Sequence, residues 1–399
     1  MPRAGWVKPV SDRRLSDLVS VGVLTRVFPV SVVDEVIAGA GRTERRHRSL
    51  PARVMAYFSI GMALFSEGSY EDVLELMTDG LAWSCAGGDP MPIPSKSAIF
   101  QARARLGFEP LRDLFARVAC PLAAEGARGA WVAGLRVMAI DGTSLEVADT
   151  VANAEFFGYP ESSCGDRAAF PQARVVALAE CGTRAIVDAE VGPYLTSEVA
   201  MARDLATRLQ PGTLVLADRG LYGFGMWQRA CATGADLLWR VKSTLRPRHV
   251  QDLPDGSWLA DIAPTSGPGW RTVPPIRVRI IEYRVDDHEP YRLLTTLLDH
   301  ERAPAIDLAA AYRERWEIET AFDELKTHQR SPRTILRSKS PDLVLQEIWG
   351  HLCCHYSIRV LMHEAATHSG HDPDRISFTK AVRIARLSTA QGDFPPSRP

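Results

Sequence analysis

The stretch from Asp307 to Gln329 limits the fold more than any other part of this sequence. It contains neither proline nor glycine, and the residues that dominate it favour helix, so it predicts one long helix. Five of its residues follow one another at intervals of 3, 4, 3 and 4, which places them on one helical face: Tyr312, Arg315, Glu319, Phe322 and Lys326. Such a face suits a surface that binds a cation and a phosphate together. The alternative is a solvated face with an Arg315–Glu319 ion pair, which is the commoner use of charged helix faces.

The composition excludes several classes of protein. The chain has 399 residues, of which 46% are hydrophobic and 24% charged, as is typical of a globular protein with two or three domains. Its net charge of −1 creates no overall basic field, so contacts with nucleic acid must come from local patches. The most apolar stretch, Leu18–Val36, is interrupted by charges and a proline, and predicts neither a membrane span nor a signal peptide. The seven scattered cysteines are typical of reduced thiols in the cytoplasm.

Residues 1–130 predict a helical N-terminal domain. Apolar periodicity indicates one or two helices in Leu50–Leu76 and two more in Ser95–Phe115, with a break at Gly107–Pro110. Basic residues of the second pair could place a helix against DNA, and the candidates are Lys96, Arg103 and Arg105. Solvated arginines on a helical scaffold would produce the same pattern.

From Trp131 the pattern predicts an α/β domain that extends to residue 370. Three strands form a meander with a hairpin turn at Cys181–Thr183, and a helix, a strand, a helix and a strand follow. Two of these strands end on an acid, the first on Asp141 and the fourth on Asp218. Short alternating segments with frequent proline and glycine predict a β-rich insertion at about 243–300. Residues 371–399 are polar, and we expect a poorly ordered C-terminal tail there.

The segment that follows the Asp307–Gln329 stretch is basic. No acid occurs between Glu324 and Asp342, and five cationic residues lie there: Lys326, Arg330, Arg333, Arg337 and Lys339. We expect these side chains to contact DNA phosphates. Pro341 then begins another helix.

The two strand-terminal aspartates predict a metal site. Sites in α/β sheets are built at strand ends, and a third carboxylate from a helix would complete the oxygen ligands that Mg²⁺ prefers. Two such ions can activate an attacking oxygen and stabilise a leaving oxygen on phosphorus. Each aspartate also has a simpler explanation, since Asp141 and its glycine neighbour could form a turn and Asp218 could cap the next helix. The pattern alone does not select the third ligand among four residues of the helix: Glu314, Glu317, Glu319 and Glu324.

One motif in the predicted helix resembles a known family. The order Tyr312-x2-Arg315-x3-Glu319-x6-Lys326 matches the YREK signature of the insertion-sequence-4 family of bacterial DDE transposases. The helical N-terminal region, the β-rich insertion and the basic segment are also similar to that family, so the resemblance covers nearly the whole chain. It implies that Glu319 is the third ligand and that Tyr312, Arg315 and Lys326 contact phosphate or DNA ends.

Asp141 within IDGT and Asp218 within LADRG resemble the first two catalytic aspartates of that family. The resemblance implies a ribonuclease-H-like catalytic domain behind an all-helical N-terminal domain. In it, Asp141, Asp218 and Glu319 would hold two Mg²⁺ ions, for which Mn²⁺ can substitute. In relatives a tryptophan of the insertion can hold a flipped base, and the candidates here are Trp258 and Trp270.

The implied function is that of a DNA transposase. Such a protein cleaves at the terminal inverted repeats of an insertion element and joins the 3′ ends to target DNA. We expect double-stranded DNA as partner, a homodimer in the DNA complex, and a bacterial cytoplasmic location on the nucleoid. We expect no membrane partner, and no nucleotide cofactor because no Walker motif is present. Two alternatives stay open: a ribonuclease-H-like nuclease that cuts without joining, and a catalytically silent or truncated remnant that only binds DNA ends.

Overall fold

The computed structural model describes residues 22–44, 50–82, 94–160, 168–264, 270–284, 291–330 and 335–391. Its first helices are α1 Gly22–Val27, α2 Val30–Gly39, α3 Ala52–Leu64, α4 Tyr70–Ala82, α5 Lys96–Leu106 and α6 Glu109–Val118. The helices predicted in Leu50–Leu76 and Ser95–Phe115 are confirmed. The break between α5 and α6 falls on Gly107, whose φ of 73° is easy for glycine and strained for other residues.

The following part of the described chain builds one mixed β-sheet. Its strands are β1 Trp131–Val132, β2 Leu135–Glu146, β3 Gln172–Glu180, β4 Ile186–Pro193, β5 Thr213–Ala217, β6 Asp236–Arg240, β7 Arg248–Asp252, β8 Trp258–Ile262, β9 Ile276–Tyr283 and β10 Tyr291–Thr295. Their order is β4–β3–β2–β5–β6–β10–β9–β8–β7, with β1 beside the start of β2. The strands β2, β3 and β4 form the predicted antiparallel meander, while β2, β5 and β6 run parallel. The predicted ribonuclease-H-like fold is confirmed.

Further helices lie between and after these strands. They are α7 Val151–Phe157, α8 Glu198–Leu205, α9 Phe224–Ala232, α10 Ala305–Arg313, α11 Trp316–Asp323, α12 Pro341–Ser369 and α13 Phe378–Gln391. The β-rich insertion consists of β7 to β10, and it extends the same sheet because β10 pairs with β6. Among the described residues, no helix is both long and apolar enough to cross a membrane.

The helix predicted for Asp307–Gln329 is interrupted. Its first part, α10, ends at Arg313, and a turn of Glu314 and Arg315 precedes α11. After α11 the backbone widens into a π-helical turn, Glu324–His328, in which the N–H of Gln329 donates to the carbonyl of Glu324 at 2.8 Å. The prediction of one regular helix is therefore wrong. Arg315 and Glu324 are buried and have charged partners on other elements, Asp141 and Arg359, and these contacts outweigh the helix propensity of the sequence.

One hydrophobic cluster joins the N-terminal helices to the sheet. It includes Phe58 of α3, Val137 of β2 and Leu352 of α12, whereas a second cluster lies on the opposite face of the sheet under α8 and α9. The long helix α12 packs closely on α3 at Gly350, where an added Cβ would lie 2.5 Å from the carbonyl oxygen of Ser59. The domain boundary near residue 130 stays a prediction, but the hydrophobic core is continuous across it.

Arg103 lies inside this core. Its side chain is 0% exposed, and its guanidinium donates to Gln346 at 2.9 Å and to the hydroxyl of Tyr70 at 2.7 Å. The expectation that Arg103 faces DNA is wrong, because its face of α5 packs against α12. Lys96 and Arg105 are exposed and remain candidates.

The C-terminal region is more ordered than its polarity predicts. Residues 378–391 form α13, which packs against α4 and α12, so the expectation of a poorly ordered tail is wrong for this part. A short apolar stripe explains the helix, since Phe378, Ala381, Val382 and Ala385 are all buried. Residues 392–399 lie outside the described part of the chain.

We expect Gly350→Ala to destabilise the fold by about 1–3 kcal/mol, because the new methyl group would collide with the backbone of α3 and force the two helices apart. Gly39→Ala in α2 is the matched control, since an added Cβ there meets nothing within 4 Å. It should be neutral or stabilising by up to about 1 kcal/mol. Urea unfolding of both variants measures these changes, and equal stability of the two would contradict the close packing of α3 on α12.

Candidate active site

The register of β2 and β5 brings Asp141 and Asp218 together. These strands are parallel, and Ile140 pairs with Ala217, so the two aspartates occupy the next pair of positions. Side chains alternate along a strand, and Ala139 of β2 and Leu216 of β5 both point into the cluster shared with the N-terminal helices. The aspartates, two residues further along, therefore emerge on that same face of the sheet.

The simpler explanations for these aspartates do not hold. Asp141 is paired with Ala177 inside β2 and is not in a turn. The helix after Asp218, α9, is preceded by Gly223 at its N-cap position, so Asp218 does not cap it. Because β5 ends at Ala217 while β2 continues to Glu146, the described residues place no strand beside Asp141–Leu145 on the β5 side. At the end of β2 the carbonyl of Glu146 accepts the N–H of Leu336 at 2.9 Å.

The segment from Tyr312 of α10 to Lys326 of the π-helical turn contacts this edge of the sheet. Tyr312 donates its hydroxyl to the carbonyl of Ala217 at 3.3 Å, and Lys326 donates to the hydroxyl of Thr143 on β2 at 3.2 Å. Tyr312 is 5% exposed, so its hydroxyl contacts the backbone next to Asp218 and does not face solvent. A phosphate contact by Tyr312 does not fit this burial.

Arg315 connects two of the predicted metal ligands. One terminal nitrogen of its guanidinium donates to Oδ2 of Asp141 at 2.9 Å, and the other donates to Oε1 of Glu319 at 2.8 Å. Arg315 is 7% exposed, whereas the Glu319 side chain is 40% exposed. Among the described interactions of the four candidate glutamates, only Glu319 shares the Arg315 guanidinium with Asp141, whereas Glu317 pairs with Arg184 and Glu324 with Arg359. The geometry therefore favours Glu319 as the carboxylate nearest to this site.

Burial raises the pKa of the Asp141 carboxyl to about 6. The N–H of Gly142 and the charge of Arg315 oppose this rise, whereas the negative charges of Glu198 and Glu319 add to it. Glu198 belongs to α8 on the other face of the sheet, and its carboxyl group packs against Gly142. An ionised Asp141 thus costs free energy, and a bound cation would offset that cost.

The donor set fits a hard divalent cation in its chemistry, because all three predicted ligands offer carboxylate oxygens. Within the described residues, however, no three acidic, histidine or cysteine side chains are arranged to hold one ion as they stand. The positive charge between Asp141 and Glu319 belongs to Arg315. A metal ion bound by both carboxylates would therefore compete with this guanidinium for their oxygens.

The basic segment is only partly available for DNA. Arg330 is 3% exposed, so a phosphate contact by this side chain does not fit its burial. Arg337 donates to the carbonyl of Gly68 and stacks on the ring of Tyr70. Lys339 is exposed, and Arg333 lies outside the described residues.

One of the two candidate tryptophans of the insertion, Trp258, lies away from the aspartates. Trp258 packs with the cluster on the opposite face of the sheet, and its ring stacks on His249 with the centroids 5.4 Å apart. A role for Trp258 beside the aspartates does not fit this position. The side chain of Trp270 lies outside the described part.

Two further residues, which no sequence motif singles out, border the site. Trp316 is 59% exposed, and the guanidinium of Arg315 lies 5.0 Å from its ring centroid. Arg240 follows Trp239, the partner of Ala217, and therefore lies beside Asp218 at the end of β6. Arg240 could have been found from sequence, because it follows an apolar run as Asp218 does.

Arg184 contacts α11 from the turn between β3 and β4. It lies in the β3–β4 turn with a φ of 56°, an uncommon conformation for a residue other than glycine. Its guanidinium binds Glu317 with two nitrogens and also pairs with Glu324 and Asp374. No local sequence signal predicts this contact, because Arg184 and Glu317 are 133 residues apart.

Comparisons with known proteins agree with this fold. Residues 133–356 match the family described as transposase DDE domain, and residues 18–116 match the insertion element 4 transposase N-terminal family. The chain therefore belongs to the DDE transposases of the insertion-sequence-4 family. As such it is an enzyme that acts on DNA and depends on divalent metal ions.

Individual relatives show how far the similarity extends. The transposase InsG for insertion sequence element IS4 of Escherichia coli strain K12 is 29% identical over 374 residues, which cover 91% of this chain and 82% of InsG. A cryo-EM structure of a piggyBac transposase synaptic complex with hairpin DNA is similar with a TM-score of 0.50 at 13% identity, covering 92% of this chain and 79% of that chain. At that identity the likeness concerns the fold alone.

We expect Asp141→Asn to stabilise the metal-free protein at neutral pH. The folded carboxyl has a pKa of about 6 against an ordinary value of about 4, so the folded state binds more protons in this window. The wild type should therefore lose stability as the pH rises through it, and asparagine should not. The expected gain is about 1–3 kcal/mol at pH 7 and close to zero at pH 4.

Urea unfolding in the presence of a chelator at the two pH values measures this gain. Asp204→Asn, at an exposed position of α8, is the control. A gain of the same size in the control, or a gain at pH 4 as large as that at pH 7, would contradict the assigned cause.

Proposed function

We propose that this chain cleaves DNA at the terminal inverted repeats of an insertion element and joins the freed 3′ ends to target DNA. One observation carries the proposal: Asp141 and Asp218 take adjacent positions of parallel strands, on the face where Glu319 shares a guanidinium with Asp141. We assign these three carboxylates as ligands of two Mg²⁺ ions, for which Mn²⁺ can substitute. Such ions, when bound, activate the attacking oxygen and stabilise the leaving oxygen.

The residues around the carboxylates have separate roles in this proposal. Arg315 and Lys326 lie on the same face as Glu319, and we assign them to the phosphate beside the cut, Arg315 as a bidentate donor and Lys326 as a point charge. Tyr312 holds α10 on the strand that leads to Asp218. Arg240 supplies a further positive charge at the same level of the sheet.

DNA contacts away from the site must come from local charge, because the net charge of the chain is −1. We assign Lys96 and Arg105 of α5 to the terminal repeat, since both are exposed on the N-terminal helices. Arg333 and Lys339 would extend the phosphate contacts beyond Lys326, whereas Arg337 is already engaged by Gly68 and Tyr70. Because two element ends must be joined, we propose a homodimer in the DNA complex, acting on nucleoid DNA in the bacterial cytoplasm.

The test is cleavage of a labelled duplex that carries the terminal repeat flanking the gene, with Mg²⁺ or Mn²⁺. We expect nicking at the repeat boundary, and we expect Glu319→Gln to reduce its rate by roughly 100-fold or more. Loss of residues that merely support a metal ligand already costs about 10–100-fold, so loss of the ligand should cost at least as much. Glu301→Gln, in the exposed turn before α10, is the matched control and should cut at the wild-type rate.

Other outcomes select the alternatives. Cleavage without joining of a precut 3′ end to a second duplex would indicate a nuclease. Binding of the repeat without cleavage by any of the proteins would indicate a silent end-binding remnant. Equal loss of activity in Glu301→Gln and Glu319→Gln would remove the assignment of Glu319.

A further inference from the structure

The space between Asp141 and Glu319 is filled by a positively charged side chain. Arg315 donates to one oxygen of each carboxylate, and the other oxygen of Asp141 already accepts the N–H of Gly142 at 2.8 Å. Gly142 is part of β2 and cannot move away without breaking the sheet. Arg315 is therefore the charged partner that competes with a divalent cation for the oxygens of Asp141.

A guanidinium and a divalent cation cannot share these oxygens at low cost. Like charges a few ångströms apart repel strongly when water is largely excluded, and Arg315 is 7% exposed. Moving the guanidinium away without a new partner would leave a nearly buried cation unpaired, which is also unfavourable. In the absence of another anion, metal binding is thus opposed by the protein's own arginine.

The local structure supplies a route for Arg315 to leave. Arg315 lies in the two-residue turn between α10 and α11, not within a helix. Its guanidinium already contacts the ring of Trp316, and this ring is 59% exposed. The ring therefore connects the position of the carboxylates with the protein surface. A DNA phosphate at that surface would accept two N–H groups from Arg315 in place of the carboxylates.

We infer that Arg315 is the resident counter-cation of the metal site in the DNA-free protein, and that it exchanges Asp141 and Glu319 for a DNA phosphate when the divalent cation enters. This inference rests on the proposed function, because it takes these carboxylates as metal ligands. The consequence is positive coupling: DNA raises the affinity for metal, and metal raises the affinity for DNA by the same factor. The protein without DNA therefore holds its metal more weakly than the protein bound to DNA.

The experiment is a Mn²⁺ titration followed by the electron paramagnetic resonance signal of free Mn²⁺, with and without the terminal-repeat duplex. Mn²⁺ bound by the duplex alone is subtracted. We expect the duplex to lower the Mn²⁺ dissociation constant of the wild type about fivefold or more. Arg315→Gln should bind Mn²⁺ more tightly than the wild type without DNA, and the duplex should change its affinity little.

Arg313→Gln is the matched control, because it removes one positive charge at an exposed residue of α10 only two positions before Arg315, and Arg313 has no part in the proposed site. It should keep the coupling between DNA and metal. An equal gain in Mn²⁺ affinity in both variants would indicate a general charge effect and would overturn the inference. Unchanged or weaker Mn²⁺ binding by folded Arg315→Gln would overturn it as well.

If Arg315→Gln does not fold, measurements on the wild type alone still test the inference about Arg315. Mn²⁺ affinity that is the same with and without the duplex would overturn the inference, while Mn²⁺-dependent cleavage that is lost in Glu319→Gln would leave the proposed function intact. Failure of the wild type to bind Mn²⁺ or to cut DNA would instead remove both.

Discussion

The parallel pairing of β2 with β5 determines where chemistry can occur on this protein. Ile140 and Ala217 are its last pair, and the two aspartates follow at once. A shift of one residue between the strands would move Asp141 away from Asp218, and a shift of one residue within either strand would turn its carboxylate to the other face. The buried residues that precede the aspartates fix this register, so the hydrophobic core and the site depend on the same contacts.

Several residues of the site lower the stability of the folded protein. A carboxyl group with a pKa raised by burial, a nearly buried arginine and an exposed tryptophan occupy one edge of the sheet. Each would be replaced in a sequence selected for stability alone. Their cost is offset by packing elsewhere, above all by α12, whose first two-thirds are buried on nearly every side.

The sequence was sufficient for the parts of the fold that depend on local pattern. Apolar periodicity located most of the helices and strands, and the acids that follow two apolar runs identified Asp141 and Asp218. The prediction that the first strand ends on Asp141 is wrong, because pairing with β3 carries β2 on to Glu146. The helical spacing placed Arg315 and Glu319 on one face, as the structure has them. The break in that helix, the burial of Arg103 and Arg330 and the contact of Arg184 with Glu317 were not predictable, because they depend on partners far away in the chain. Arg103 and Gln346 are 243 residues apart.

The continuous core around α12 fixes the distance between the N-terminal region and the catalytic site. Helices of the N-terminal region and strands of the catalytic sheet pack on the same helix, and Gly350 brings two of the helices to backbone contact. A flexible linker would let the two regions vary their separation, whereas a shared core does not. If the N-terminal helices bind the terminal repeat, the number of base pairs between the recognised sequence and the cut phosphodiester is set by the rigid body of the protein.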